Sequence, residues 1–228
     1  MKRATRSGYD IEALLSAVRC EKKIIRYKKK EVVFSQGDLS TALFFIESGA
    51  LKLSMVSAEG NEVIICLTDG GSLFGESCIS AGQPLRFHSA VALNDVRLVK
   101  IDRSVILRLL SKGGESAVEF VSFLLKQNAR VQEDLANRIV GSAEQNLARV
   151  ILSVANLQGR LRDRVLPLIS QQTIAEMMGI TRQRVNALMK QSKLTSSSTR
   201  SKKQVHLPDR GTFSKVAASP FVRGRENG

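Results

Sequence analysis

Short runs of apolar residues, several of them alternating with polar residues, fill the chain between residues 31 and 101. The runs are rich in β-branched and aromatic side chains, and turns that contain Gly, such as 47–49 and 58–61, separate them. Strands this short and this regularly spaced are typical of an antiparallel sandwich or barrel. We therefore predict a β-roll over 31–112, with a jelly roll as its arrangement.

The periodicity becomes helical after residue 113. From about Glu115, apolar residues recur at steps of three and four through a stretch that contains neither Gly nor Pro until Gly141. A stripe this narrow and long favours packing against a second copy of the helix in a parallel coiled coil, so we predict a dimerisation helix over 113–141. Packing of the helix on its own β-roll is the alternative. The predicted dimer contacts are Val121, Leu124, Val131 and Leu135.

Further helix signals lie between residues 142 and 193. Ser142 and Gln145 have the spacing of a capping box at the start of a helix. Farther along, Ser170 and Thr181 stand where two more helices would begin, and Gly179 stands where the tight turn between them needs a positive φ.

The residues around these caps have the spacing of a helix-turn-helix. Ala175 is small where the two helices would cross closely. The inward apolar positions are Ile174, Met178, Val185 and Leu188. The outer face of the second helix, near its N-terminus, carries Thr181, Arg182, Gln183 and Asn186. We therefore predict a DNA-binding helix-turn-helix domain over 142–193, with an ordinary helical hairpin as the alternative.

The net charge of +14 is concentrated at the two ends of the chain. Residues 1–31 carry +6, residues 32–181 carry −1, and residues 182–228 carry +9. Clustered positive charge suits a polyanion such as double-stranded DNA. The basic residues 1–30 are predicted to be helical. We expect a cytoplasmic protein without a membrane partner, because no apolar run is long enough to span a bilayer and the three cysteines are scattered.

The order of a β-roll, a long helix and a helix-turn-helix resembles the Crp–Fnr family of bacterial transcription regulators between Lys30 and Lys193. A second motif supports the resemblance, because Phe74-Gly75-Glu76 and Pro84-Leu85-Arg86 look like the family's phosphate-binding cassette. The resemblance implies that Gly75 and Glu76 hold a ribose hydroxyl and that Arg86 binds a cyclic phosphate. Carboxylate acceptors and guanidinium donors suit these two tasks.

Other residues disfavour cyclic AMP as the effector. Phe87 and His88 follow Arg86 where cyclic-AMP-binding members have a small residue, and Val131-Gln132 replace their Thr-Ser pair. A different effector, or a remnant site in which Glu76 pairs with Arg86, is therefore preferred to cyclic AMP, and no cofactor is certain. Cys78, next to the cassette, is interpreted as a buried thiol, with a redox-sensitive thiol as the alternative.

The cysteine and histidine content disfavours the family's metal-containing sensors. Cys20 alone does not supply the N-terminal cysteine cluster of the iron–sulfur branch. His88 and His206 are too few and too far apart in the sequence for a metal site.

By the resemblance, two copies read a near-palindromic operator with the second helix of each motif in the major groove. Arg182 is the predicted guanine contact, and Gln183 and Asn186 suit adenine or mixed base edges. The predicted phosphate contacts are Ser170, Gln172, Thr181 and Arg184. The implied partners are double-stranded DNA, a second copy of the chain and RNA polymerase.

The tail after residue 193 departs from the family pattern. Residues 194–228 are basic and of low complexity, are predicted to be disordered, and lack a clear two-stranded wing. The alternative function is a ligand-sensing β-roll module whose DNA-binding domain is degenerate or carries a frameshift near Ser192. No catalytic constellation is present in the sequence, so we do not expect an enzyme.

Overall fold

The computed structural model describes residues 22–80, 82, 84–160 and 170–191, with side chains up to residue 154 in the third of these segments. The chain forms two compact units, residues 1–129 and 130–228. An antiparallel β-roll and helices make up the first unit, and the described part of the second is helical. The predicted α+β class, with the β-roll preceding the helices, is confirmed. The predicted tail over 194–228 lies outside the described residues.

Two four-stranded antiparallel sheets form the β-roll. The strands are β1 (Lys22–Tyr27), β2 (Val32–Phe34), β3 (Ala42–Ser48), β4 (Ala50–Val56), β5 (Glu62–Asp69), β6 (Leu73–Phe74), β7 (Ser89–Ala92) and β8 (Val96–Asp102). The first sheet has the order β1-β8-β3-β6, and the second has the order β2-β7-β4-β5. A short 3₁₀-helix, Glu76–Ile79, follows β6.

The hydrophobic core has two layers that share strands β3 and β8. Between the sheets, Phe34 and Leu53 of the second sheet pack with Phe44 and Leu98 of the first. On the other face of the first sheet, a second cluster joins strand residues to the helices that follow the roll. Its members include Leu43, Val99, Ile101, Ile106, Phe120 and Phe123. Because β3 and β8 are covered on both faces, both strands carry consecutive buried apolar residues, such as Leu43 and Phe44 of β3 and Leu98 and Val99 of β8.

Five α-helices are present in the described residues. They are α1 (Arg103–Lys112), α2 (Glu115–Val140), α3 (Ala143–Arg160), α4 (Gln171–Met178) and α5 (Arg182–Gln191).

The predicted capping box at the start of α3 is confirmed. The Ser142 N–H donates to Gln145 Oε1 at 2.9 Å, and the Gln145 N–H donates to Ser142 Oγ at 3.2 Å. The end of α2 is closed by side chains of α3, because Arg149 donates to the Asn137 carbonyl at 2.8 Å. These bonds satisfy backbone groups that helix ends leave without partners.

The prediction that residues 1–30 are helical is wrong for residues 22–27, which form strand β1. This strand pairs with β8 along its whole length, from Lys22 opposite Ile101 to Tyr27 opposite Val96. Tyr27 packs against the core between the sheets. The lysines suit a strand at the edge of a sheet, where charged side chains remain in solvent. Residues 1–21 lie outside the described residues.

The predicted apolar seam of α2 is partly wrong. Leu124 packs against the cluster that contains Phe120 and Phe123, so it belongs to the β-roll core. The β-roll therefore covers one face of α2, as the alternative required. A second apolar line remains exposed on the same helix. Its residues are Val118, Val121 and Leu125, at steps of three and four, and, ten residues farther along, Leu135 and Ile139.

Candidate nucleic-acid interface and effector site

The ends of α4 and α5 are set by the residues predicted as caps. Ser170 Oγ accepts from the Thr173 N–H at 3.0 Å, and Thr181 Oγ1 accepts from the Arg184 N–H at 3.3 Å. Gly179 ends α4 with φ 67°, a left-handed conformation that favours glycine. These three positions hold the two helices in a helix-turn-helix arrangement.

The inner side of the motif is apolar and buried. Ile174 and Ala175 of α4 and Val185 and Leu188 of α5 are among its buried side chains, as predicted. Met178 is only partly buried, whereas the neighbouring Met177, which was not among the predicted inward residues, is buried. The α3 side chains that are buried in this unit are Leu147, Ala148, Val150, Ile151 and Val154. This packing fixes which side of α5 faces solvent.

The outer side of the motif carries every residue predicted to contact DNA. All seven are exposed: Ser170, Gln172, Thr181, Arg182, Gln183, Arg184 and Asn186. Helix α5 contains three basic residues and no acidic one, so its exposed side is positively charged. An exposed, basic helix start with arginine and amide side chains can donate hydrogen bonds to phosphates and base edges.

The structure brings Gly75 and Arg86 of the cassette into contact. Gly75 has φ 84°, and a Cβ atom at this position would lie 2.6 Å from Arg86 Nη1. Arg86 Nη1 donates to the Gly75 carbonyl at 3.0 Å, and Nη2 donates to the Ala42 carbonyl at 2.6 Å. Glycine is therefore required at position 75 both by its conformation and by the space that the guanidinium occupies.

Arg86 is buried, whereas Glu76 is exposed. The alternative in which these two side chains pair is wrong, because no ion pair joins them among the described residues. The Arg86 guanidinium lies over the Phe34 ring instead, 4.1 Å from its centroid. Burial lowers the pKa of Arg86, and the nearby charges of Glu76 and Asp38 partly offset this effect.

The side chains of the two residues after Arg86 lie on opposite sides, one in solvent and one against the core of the β-roll. Phe87 is 71% exposed, whereas His88 packs against Phe34 with 5.8 Å between ring centroids. Burial lowers the pKa of His88, the nearby Glu76 opposes this shift, and Arg86 adds to it. Burial therefore favours the neutral form of this imidazole.

Cys78 is fully buried beside the cassette, and burial raises the pKa of its thiol to about 11. We expect Cys78 to be unreactive, since only about one thiol in a thousand is ionised at pH 8 and the thiolate is the reactive form. In a variant with Cys20→Ser and Cys66→Ser, a disulfide reagent at pH 8 should label Cys78 only after denaturation. Rapid labelling of the native variant would instead support the redox-sensitive alternative.

No helix in the described residues combines the length and apolar character needed to cross a bilayer. No group of three or more histidine, cysteine, aspartate or glutamate side chains in the same residues is arranged to hold a metal ion.

Residues 24–112 match the family model described as the cyclic nucleotide-binding domain. The match begins within β1, so it includes the strand that was predicted to be helical. The chain is also similar to a CRP-like cAMP-activated global transcriptional regulator of Mycobacterium tuberculosis, at 25% identity over 175 residues, which cover 75% of this chain and 78% of that protein. A global nitrogen regulator of Synechococcus elongatus is 28% identical over 174 residues, which cover 73% and 77% of the two chains.

The fold is shared with a solved transcriptional regulator of the Crp/Fnr family from Eubacterium rectale. The TM-score is 0.72 at 17% identity, and the similarity covers 91% of this chain and 94% of that one. A cyclic-nucleotide-binding-like roll joined to a helix-turn-helix defines a class of DNA-binding regulators. In sequence and in fold, the chain is therefore similar to transcription regulators of the Crp–Fnr type. Its relatives are regulators, so the expectation that it is not an enzyme is confirmed.

Proposed function

We propose that this chain is a homodimeric transcription regulator that reads a near-palindromic operator through helix α5. The observation that carries the proposal is the exposed polar start of α5, held in place by the buried side chains Val185 and Leu188. A helix presented in this way fits the major groove, and its first turns reach the base edges. We expect a cytoplasmic protein, because the DNA of a bacterial cell lies in the cytoplasm.

The exposed residues divide into two roles. Arg182 forms a bidentate contact to guanine, while Gln183 and Asn186 bind adenine or mixed base edges. The remaining contacts hold the phosphate backbone and set the position of the motif. These phosphate contacts are Ser170, Gln172, Thr181 and Arg184.

The second copy is joined through the exposed apolar line of α2. Val118, Val121, Leu125, Leu135 and Ile139 occupy a and d positions of one heptad register, and their side chains are exposed in the single chain. The same register places Asn128 and Gln132 in the middle of the line. Val131, which is 64% exposed, lies beside it. Polar residues at such positions specify register at a cost in stability, as a parallel two-stranded coiled coil allows.

The effector-binding residues proposed from the family resemblance are Gly75, Glu76 and Arg86. The match to the cyclic nucleotide-binding domain makes a nucleotide effector one option, and an effector-independent roll is the other. Cyclic AMP remains disfavoured by the bulk of Phe87 and His88. RNA polymerase is the further partner suggested by the family.

Selection of bound sequences from random duplex DNA, with the full chain, tests this function. We expect enrichment of an inverted repeat whose half-sites lie about one helical turn apart, because a two-fold symmetric dimer presents α5 twice. Enrichment should persist as salt and competitor DNA are raised, since base contacts depend less on salt than phosphate contacts do. Retention of DNA without any enriched sequence would support the alternative, a ligand-sensing roll with a degenerate DNA-binding domain.

A further inference from the structure

The segment that carries Arg86 is held like a strand, with one face toward the core. The Arg86 N–H donates to the Asp38 carbonyl at 2.8 Å, and the Gly37 N–H donates to the Arg86 carbonyl at 2.9 Å. Leu39 and Leu85 form a β-bridge in this pairing. Because side chains alternate along extended chain, Leu85 and Phe87 point to solvent and Arg86 points inward, where it is only 4% exposed.

Two of the five N–H donors of Arg86 are already used inside the roll. Its two Nη atoms bond the carbonyls of Gly75 and Ala42, so the side chain links the cassette to the start of β3. Its Nε–H has no partner in the structure, but this atom is closed to solvent. Because the side chain is only 4% exposed, a phosphate oxygen reaches the guanidinium only after the side chain has moved.

Aromatic rings fill the space beneath the guanidinium. Phe44 and Phe74 stack with 5.2 Å between their centroids, and Phe34 lies within 5.9 Å of both. The guanidinium lies over Phe34 and also 5.5 Å from the Phe44 centroid. A cation held against aromatic faces and out of water is stabilised beyond its hydrogen bonds, so moving it toward a ligand loses both kinds of contact.

We infer that Arg86 is a structural brace of the β-roll that closes the cassette to cyclic phosphates, so that the chain binds its operator without a cyclic nucleotide. The part concerning the operator rests on the proposed DNA-binding function. A ligand shifts an equilibrium only by its differential affinity, and here it would first have to break the brace.

Calorimetric titration of the DNA-free full chain with cyclic AMP, cyclic GMP or cyclic di-GMP tests the brace directly. We expect no saturable heat at nucleotide concentrations up to about 1 mM, and a change in operator affinity of less than about twofold in fluorescence anisotropy. Saturable nucleotide binding, or at least about tenfold tighter operator binding with a nucleotide, overturns the inference. If neither nucleotide nor operator binds, the brace stands and the proposed DNA-binding function fails.

Substitutions at Arg86 and Phe34 test whether Arg86 stabilises the β-roll or serves only to bind a phosphate. Arg86→Lys keeps a positive charge, but an ammonium group has no planar fork that can bond the Gly75 and Ala42 carbonyls and also stack on Phe34. We therefore expect the Tm of this variant to fall by about 5–10 °C. Phe34→Leu leaves the guanidinium in place but removes the ring, and its Tm should fall as well. Arg26→Lys on the exposed face of β1 is the matched control and should keep its Tm. An unchanged Tm for both Arg86→Lys and Phe34→Leu contradicts the brace.

Discussion

Leu135→Asp is expected to convert the proposed dimer to a monomer and to lower operator affinity by about 100-fold or more. Leu135 is 57% exposed in the single chain, so the new charge loses little packing within one protomer. In the proposed dimer it would bring two carboxylates together in an apolar seam, where burial of an unpaired charge is strongly unfavourable. Sedimentation velocity measures the change in mass, and anisotropy with the selected operator measures the affinity.

Val140→Asp is the matched control for this substitution. Val140 is another exposed apolar residue of α2, with 58% exposure, but it lies outside the heptad line. The control adds the same charge to the same helix and should remain dimeric. A Leu135→Asp protein that is still dimeric, with a normal helical circular dichroism spectrum, would show that the copies associate elsewhere or that the chain binds DNA as a monomer.

The helix-turn-helix could be predicted from the sequence because its helix ends depend on interactions between residues close together in the chain. The conformations of Ser170, Gly179 and Thr181 depend on hydrogen bonds and backbone preferences within a few residues, so their spacing alone located the helix ends. The choice between Met177 and Met178 differs by one residue, or 100° around the helix. Which of the two methionines is more deeply buried depends on how α4 packs against other helices. Helix α4 has only eight residues, and the apolar pattern of so short a helix does not determine this packing.

Tertiary packing decided the features that the sequence did not predict correctly. Helix α2 has two apolar lines, and neither Leu124 nor Leu125 reveals by itself which one the β-roll covers. The prediction of a helical segment over residues 1–30 misses strand β1, because the many basic residues of this stretch give no indication that Tyr27 packs against the core. Arg86 was expected to face a ligand or Glu76, since the sequence contains no signal that Phe34 lies beneath its guanidinium.

Arg182→Ala is expected to remove discrimination at one base pair in each half-site of the operator. A bidentate arginine–guanine contact contributes about 1–3 kcal/mol, so its loss from both half-sites costs about 2–6 kcal/mol, or roughly 30-fold to 10⁴-fold in affinity. Arg182 is exposed at the start of α5, and its truncation removes no buried contact of the motif. The stability of the protein should therefore stay within about 0.5 kcal/mol of the parent.

Arg184→Ala provides the comparison, because this neighbour has the same charge and exposure but is assigned to a phosphate. Its loss should weaken binding to all sequences alike and reduce the slope of log affinity against log salt by about one unit per protomer. Repeating the selection with both variants compares base preference at every position. If Arg182→Ala keeps every base preference and loses affinity uniformly, then Arg182 is itself a phosphate contact. In that case Gln183 and Asn186 would contact the bases, because their amides are the remaining groups at this end of the helix that are predicted to do so.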